Sequence, residues 1–224
     1  MTKKKEWLAG TRSAVPIMLG YVPVGIAYGV MARQAGLNTW QTVLMSLTVY
    51  GGASEMMAAG MVAQGAAVLT IVLTTFILNL RHIIMSTCVF NQMQGGRLPV
   101  RMLAAFGVTD ETFAVYTTAA NAPRTPRYFF SMALCSYLSW ALGSWLGAIA
   151  TGLLPPLITA ALGISLYAMF IGLLMPGLHG NGRLAALVVL TALCNTVLCN
   201  VVQLDSGWSM ILSTLGCAAL GHFL

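Results

Sequence analysis

A chain of 224 residues that is 58% hydrophobic and only 7% charged, with a mean hydropathy of +0.83, carries too much apolar surface for a soluble fold. It reads as an all-α, polytopic integral membrane protein, of a length suited to one transmembrane transporter domain over residues 1–224. The net charge of +6 does not point to nucleic acid: apart from Lys3, Lys4 and Lys5, the basic residues stand singly near the ends of apolar stretches, as the positive-inside rule produces.

Residues 1–13 form a polar N-terminal segment, expected in the cytoplasm. Eight apolar stretches follow: 14–33, 42–62, 66–90, 103–120, 128–152, 157–176, 184–204 and 207–223. A span needs about 20 residues, so the pattern predicts a bundle of seven or eight spans, some of them broken. The fourth and last stretches are short, and either could be re-entrant. The third is long and must tilt, kink or protrude. The first lacks a signal-peptide cleavage site and is read as an uncleaved span, interrupted by Pro16 and Pro23. With eight spans and the N-terminus inside, Lys3, Lys4, Lys5, Arg12, Arg124, Arg127 and Arg183 lie inside, while Arg33, Arg97 and Arg101 lie outside.

Charge inside these stretches is concentrated in three of them. Glu55, Arg81, Asp110 and Glu111, with His82 beside the arginine, fall in the second, third and fourth. An ionised group at the bilayer centre costs about 2.5–3.5 kcal/mol on insertion scales, so such residues mark a functional site facing other helices or a wet cavity. Three hairpin-connected spans are neighbours by default, so the cluster is expected at one mid-depth site.

Two of the charged segments resemble each other. Tyr50-Gly51-Gly52-Ala53-Ser54-Glu55 and Phe106-Gly107-Val108-Thr109-Asp110-Glu111 align as aromatic, Gly, any, small or hydroxyl, polar, Glu. Glycines ahead of an acid predict broken helices, whose freed backbone groups at Gly51, Gly52 and Gly107 can bind a solute. In Asn79-Leu80-Arg81-His82, Asn79 and His82 are spaced to share a helix face. The Arg81 guanidinium suits a carboxylate, and pairs equally well with Glu55, Asp110 or Glu111. Three acids against one arginine leave an excess of negative charge. A proton on Asp110, Glu111 or Glu55, a protonated His82 or a bound cation would balance it. The substrate-binding set is therefore Glu55, Arg81, Asp110, Glu111, Gly51, Gly52, Gly107 and Asn79. The proton-coupling set is His82, Asp110, Glu111 and Glu55. Met56, Met57 and Phe113 are candidates for an apolar wall.

The remaining features read as packing. Gly25-x-x-x-Gly29 and Gly143-x-x-x-Gly147 permit close helix approach within the subunit. Cys88, Cys135, Cys194, Cys199 and Cys217 have no metal-binding spacing and read as small buried residues. Asn195, Asn200 and Gln203 suit interhelical hydrogen bonds. No H-E-x-x-H, G-x-S-x-G or phosphate-binding glycine loop occurs, so no metal, cofactor or enzymatic activity is expected.

Four of these segments carry a family likeness: Ala14-Val15-Pro16 through Tyr21-Val22-Pro23-Val24-Gly25, Tyr50 to Glu55, Asn79 to His82, and Ala105 to Phe113. Ser139-Trp140 and Ala161-Leu162-Gly163 add to it. In order and spacing they resemble the AzlC family, the large subunit of bacterial branched-chain amino acid exporters. The resemblance implies export of valine, leucine and isoleucine, a multi-pass protein of the bacterial inner membrane, and a small AzlD-type membrane subunit as partner. Export of another small amino acid or solute, an intramembrane enzyme using Asp110 or Glu111 with His82, and a scaffold for a partner are the competing readings. The family pattern commonly has glutamine where this chain has Glu55.

Overall fold

The computed structural model describes residues 3–119, 122–153, 155, 164, 171, 174–175, 178–204 and 206–221. Every regular element among them is an α-helix, as expected. The helices are α1 (Lys3–Gln34), α2 (Thr39–Thr48), α3 (Gly52–Ala63), α4 (Val68–Asn79), α5 (Arg81–Gln92), α6 (Leu98–Phe106), α7 (Asp110–Thr118), α8 (Pro126–Ala150), α9 (Gly182–Asn200) and α10 (Ser206–Gly221). The expected sixth span, 157–176, falls almost wholly outside the described residues, as do Ala161-Leu162-Gly163 and His222.

The scaffold is the pair α1 and α8, packed side by side and parallel. Trp7 and Ser13 of α1 meet Ser131 and Tyr128 of α8, and farther along Gly25 meets Gly143 while Ile26 meets Gly147. A Cβ built on Gly25 would lie 2.9 Å from the Trp140 carbonyl, and one on Gly143 would lie 2.6 Å from the Val22 carbonyl. The two glycine pairs thus pack against each other, and only the missing side chains allow this backbone approach. Pro16 and Pro23 do not interrupt α1, contrary to expectation. The helix also starts eleven residues before the first apolar stretch. Its contact with α8 runs along most of its length and offsets the hydrogen bonds that proline removes.

α4 and α5 run on as one helix, because Leu80 between them keeps right-handed helical angles (φ −55°, ψ −30°). Its far end returns to the start of α1: the Gln94 amide donates to the Arg124 carbonyl at 2.6 Å. Thr125 donates to Glu6 at 3.2 Å, and Arg127 lies 3.8 Å from Glu6. The loops before α6 and after α7 therefore both sit at the N-terminal end of α1. α6 and α7 form a helical hairpin that enters from that end and returns to it. α2 starts at the opposite end, where Arg33 donates to the Leu37 carbonyl and Tyr28 to the Thr42 carbonyl. α4 begins there too, so α2 and α3 form a second hairpin, entering from the opposite end.

The arms of these hairpins have 9 to 12 residues. At 1.5 Å per residue that is about 14–18 Å, half of a ~30 Å hydrocarbon core. The stretches 42–62 and 103–120 are thus not spans, which corrects the eight-span reading at the second stretch and takes up the re-entrant option at the fourth. The cause is local. Tyr50 adopts φ 46°, a left-handed conformation that ends α2. At the other tip Thr109 is extended and caps α7, exchanging hydrogen bonds with Thr112 in a capping box. The correction moves Arg97 and Arg101 to the N-terminal side, with Arg124, Arg127, Arg12 and Lys3 to Lys5. Arg33 stands at the other end.

Apolar side chains cover the outside. Val68, Leu69, Val72 and Phe76 of α4 are exposed, and no residue of α9 is buried. Such surfaces suit lipid rather than water. The cysteines form no disulfide; Cys217 is buried and Cys135 packs against the core, while Cys194 and Cys199 are half-buried and Cys88 is exposed. Asn195 reaches Ser213 of α10 at 3.5 Å, whereas Asn200 donates within its own helix to Thr196.

Candidate functional site

The two hairpin tips meet beside the middle of α1 and α8. The Tyr50 ring lies 5.9 Å from that of Phe106, so the aromatic residues that lead the two similar hexapeptides touch. Around the tips a small polar pocket is lined by Tyr21, Tyr50 to Ala53, Arg81, His82, Thr109 to Glu111, and Trp140. Its volume is about 30 Å³, which holds a water molecule or two and no amino acid.

A helix start and the α4–α5 junction deliver the charges. Asp110 and Glu111 occupy the first turn of α7, where the free amides and the helix dipole stabilise carboxylates. Arg81 starts α5 just past the Leu80 junction, and its guanidinium pairs with the Asp110 carboxylate at 2.8 Å. Glu111 accepts instead from the Tyr21 hydroxyl at 2.6 Å, and that hydroxyl also lies 2.7 Å from Thr109 Oγ1. His82 lines the same pocket. The site offers a cation and two acids within one small space, from two chain segments, with Tyr21 of a third bonded to Glu111.

Glu55 is placed elsewhere. It is 0% exposed and does not line the pocket. Its carboxylate accepts from the Gly51 amide (2.9 Å), the Ser46 hydroxyl (2.9 Å) and the Trp140 indole (3.2 Å). The expected option of a Glu55–Arg81 pair is not the one taken. Glu55 instead ties the α2–α3 tip to α8. Asn79 is also behind the tip, where its amide donates to Ser54 at 3.2 Å. Gly51 and Gly52 line the pocket, but Gly107 does not; its carbonyl accepts from Thr112 at 2.9 Å. Met56 is buried in the core and Phe113 packs against it, so neither they nor Met57 walls the pocket. The residues that do so, and that the sequence does not assign to the site, are Tyr21, Tyr50, Ala53, Thr109 and Trp140. Tyr21, Tyr50 and Ala53 each stood next to a glycine and Thr109 next to an acid, whereas Trp140 stood only in the quoted Ser139-Trp140 pair. Among the described residues no group of three potential ligands could hold a metal.

Residues 16–154 match the AzlC protein family. The chain is 33% identical over 188 residues to a membrane protein of Archaeoglobus fulgidus, covering 83% of this chain and 82% of that one. It is 30% identical over 179 residues to the inner membrane protein YgaZ of Escherichia coli (75% and 72%). The branched-chain amino acid transport protein AzlC of Bacillus subtilis is 27% identical over 157 residues, 66% of this chain and 61% of that protein. The chain belongs to the AzlC family. Every residue of the polar pocket lies within the stretch that matches AzlC, as do both hairpins, α8 and the part of α1 from Pro16 onward. No solved structure matches this AzlC chain.

Proposed function

We propose that this protein is a secondary transporter that exports branched-chain amino acids (valine, leucine and isoleucine) across the bacterial inner membrane, with a small AzlD-type subunit and proton coupling. The observation that carries the reading is the Arg81–Asp110 pair with Glu111 beside it, at the meeting point of two re-entrant hairpins. A zwitterion needs both signs of charge close together. Arg81 takes the substrate carboxylate as a bidentate partner. Asp110, released from Arg81, or Glu111 takes the ammonium. When the site is empty the pair closes on itself, and Glu111 is left with Tyr21, so a proton can stand in for the ammonium. The branched-chain substrate is supported by the name of the Bacillus subtilis relative. The cytoplasmic placing of the N-terminal end is supported by the arginines and lysines gathered there.

The present volume admits no amino acid, so transport requires a hairpin tip to move. Half-length helices ending at mid-depth suit this, since each hairpin closes the site from one side. The test is efflux of valine, leucine and isoleucine from loaded vesicles containing this chain and the small subunit. Arg81→Ala is expected to abolish efflux of all three at normal membrane levels. Wild-type efflux by that variant would remove Arg81 from the role.

A further inference from the structure

Resting on that reading, we propose that an apolar cavity on the other side of Tyr50 is the subsite for the substrate's side chain, and that the Tyr50 ring is the partition between the two. The polar pocket has charges for a zwitterion but only about 30 Å³ of room. A second cavity of about 230 Å³ adjoins it, lined by apolar and aromatic residues that include Ala104, Phe106, Ala133 and Tyr137. Tyr50 lines both spaces. An amino acid with its carboxylate on Arg81 can therefore extend an aliphatic side chain past this one ring into an apolar space of the right class.

The ring is placed to move. It belongs to the residue at φ 46°, a backbone state that a bulky side chain rarely adopts and that surrounding contacts must hold. Those contacts are aromatic and come from separate helices: Tyr137 edge-on at 4.9 Å, Phe106 at 5.9 Å and Tyr21 at 6.5 Å. The backbone that follows is held by the Gly51–Glu55 hydrogen bond, so the motion is a rotation of the Tyr50 side chain. A swing of Tyr50 joins the two spaces without moving α1 or α8. Tyr50 is then a specificity-determining residue, and the cavity beyond it sets which side chains fit.

The test uses two variants at the cavity's outer wall, at partly exposed side chains outside the buried core; Leu103 takes no part in the ring contacts that hold Tyr50, whereas Phe106 is one of those rings. Leu103 is 58% exposed and Phe106 46%. Leu103→Trp shrinks the cavity and Phe106→Ala enlarges it. Efflux of valine, leucine and phenylalanine is measured from vesicles holding the transporter and its small subunit. Discrimination of one methylene in an apolar pocket is about tenfold or more. Leu103→Trp is therefore expected to lower the leucine-to-valine ratio about tenfold, and Phe106→Ala to raise the phenylalanine-to-leucine ratio. Misfolding lowers all substrates together and leaves the ratios unchanged, so membrane level is measured alongside. If Leu103→Trp abolishes all efflux, the Phe106→Ala ratio decides. Wild-type ratios from correctly inserted, active variants overturn the subsite and leave the transporter reading intact. A wild-type protein that exports none of the three overturns both.

Discussion

Glu55 is the residue whose role changed most on folding. In the sequence it is one acid among three near Arg81, while in the structure its carboxylate accepts three hydrogen bonds and faces no cation. Two of those donors, the Gly51 amide and the Trp140 indole, cannot turn away. Glu55→Gln presents an amide with one oxygen to them, so one N–H loses its acceptor. The expected cost is about 1–3 kcal/mol, read as a lower unfolding midpoint in detergent, with the order of substrate preference unchanged. A Gln variant of full stability and altered substrate order would return Glu55 to the binding site. The ionisable residues stood out in the sequence because charge is rare in these stretches. Which acid meets Arg81 did not, because Asp110 and Glu111 are adjacent in sequence and only the start of α7 turns one to the arginine and the other to Tyr21.

Among the elements, α1 and α8 show how much a small side chain decides. Gly25 and Gly143 let two long helices approach to backbone contact, and this pair supports both hairpins through Tyr21, Trp140 and Tyr137. Gly25→Ala places a methyl against the Trp140 carbonyl. It is expected to destabilise by about 1–3 kcal/mol through overpacking, and Gly25→Leu to prevent stable insertion; both are read from folded yield in detergent. The G-x-x-x-G spacing made these contacts legible, since it speaks of close approach whatever the partner. The hairpins were half legible. Glycine ahead of an acid announced the breaks at Tyr50 and Gly107. Whether a broken segment continues across the bilayer or turns back depends on where its next helix packs, and no local pattern carries that.

At the scale of the whole molecule the hairpins reset the topology. Residues 64 and 94 exchange sides relative to eight regular spans. In the present fold Gln94 lies at the N-terminal end of α1, and Gln64 lies at the other. Single cysteines at Lys4, Gln94 and Gln64, treated with a membrane-impermeant thiol reagent, are expected to label Lys4→Cys and Gln94→Cys from one side and Gln64→Cys from the other. Eight regular spans demand the reverse pairing, so the result decides between them. The arginines already argue for the hairpins, because Arg97 and Arg101 join the basic end.

Composition and the long continuous apolar stretches determined that this chain lives in a bilayer and is built of helices, because lipid admits only helices or closed barrels and barrel strands are short and alternating. Rare charges in apolar stretches marked the site, since placing them in lipid is costly. Family membership was legible in the order of four short segments. Direction, depth and pairing were decided only by the tertiary structure. A hydrophobic stretch records its need for lipid or protein around it, but not which. Half-length helices shielded by α1 and α8 satisfy that need as well as a full span does.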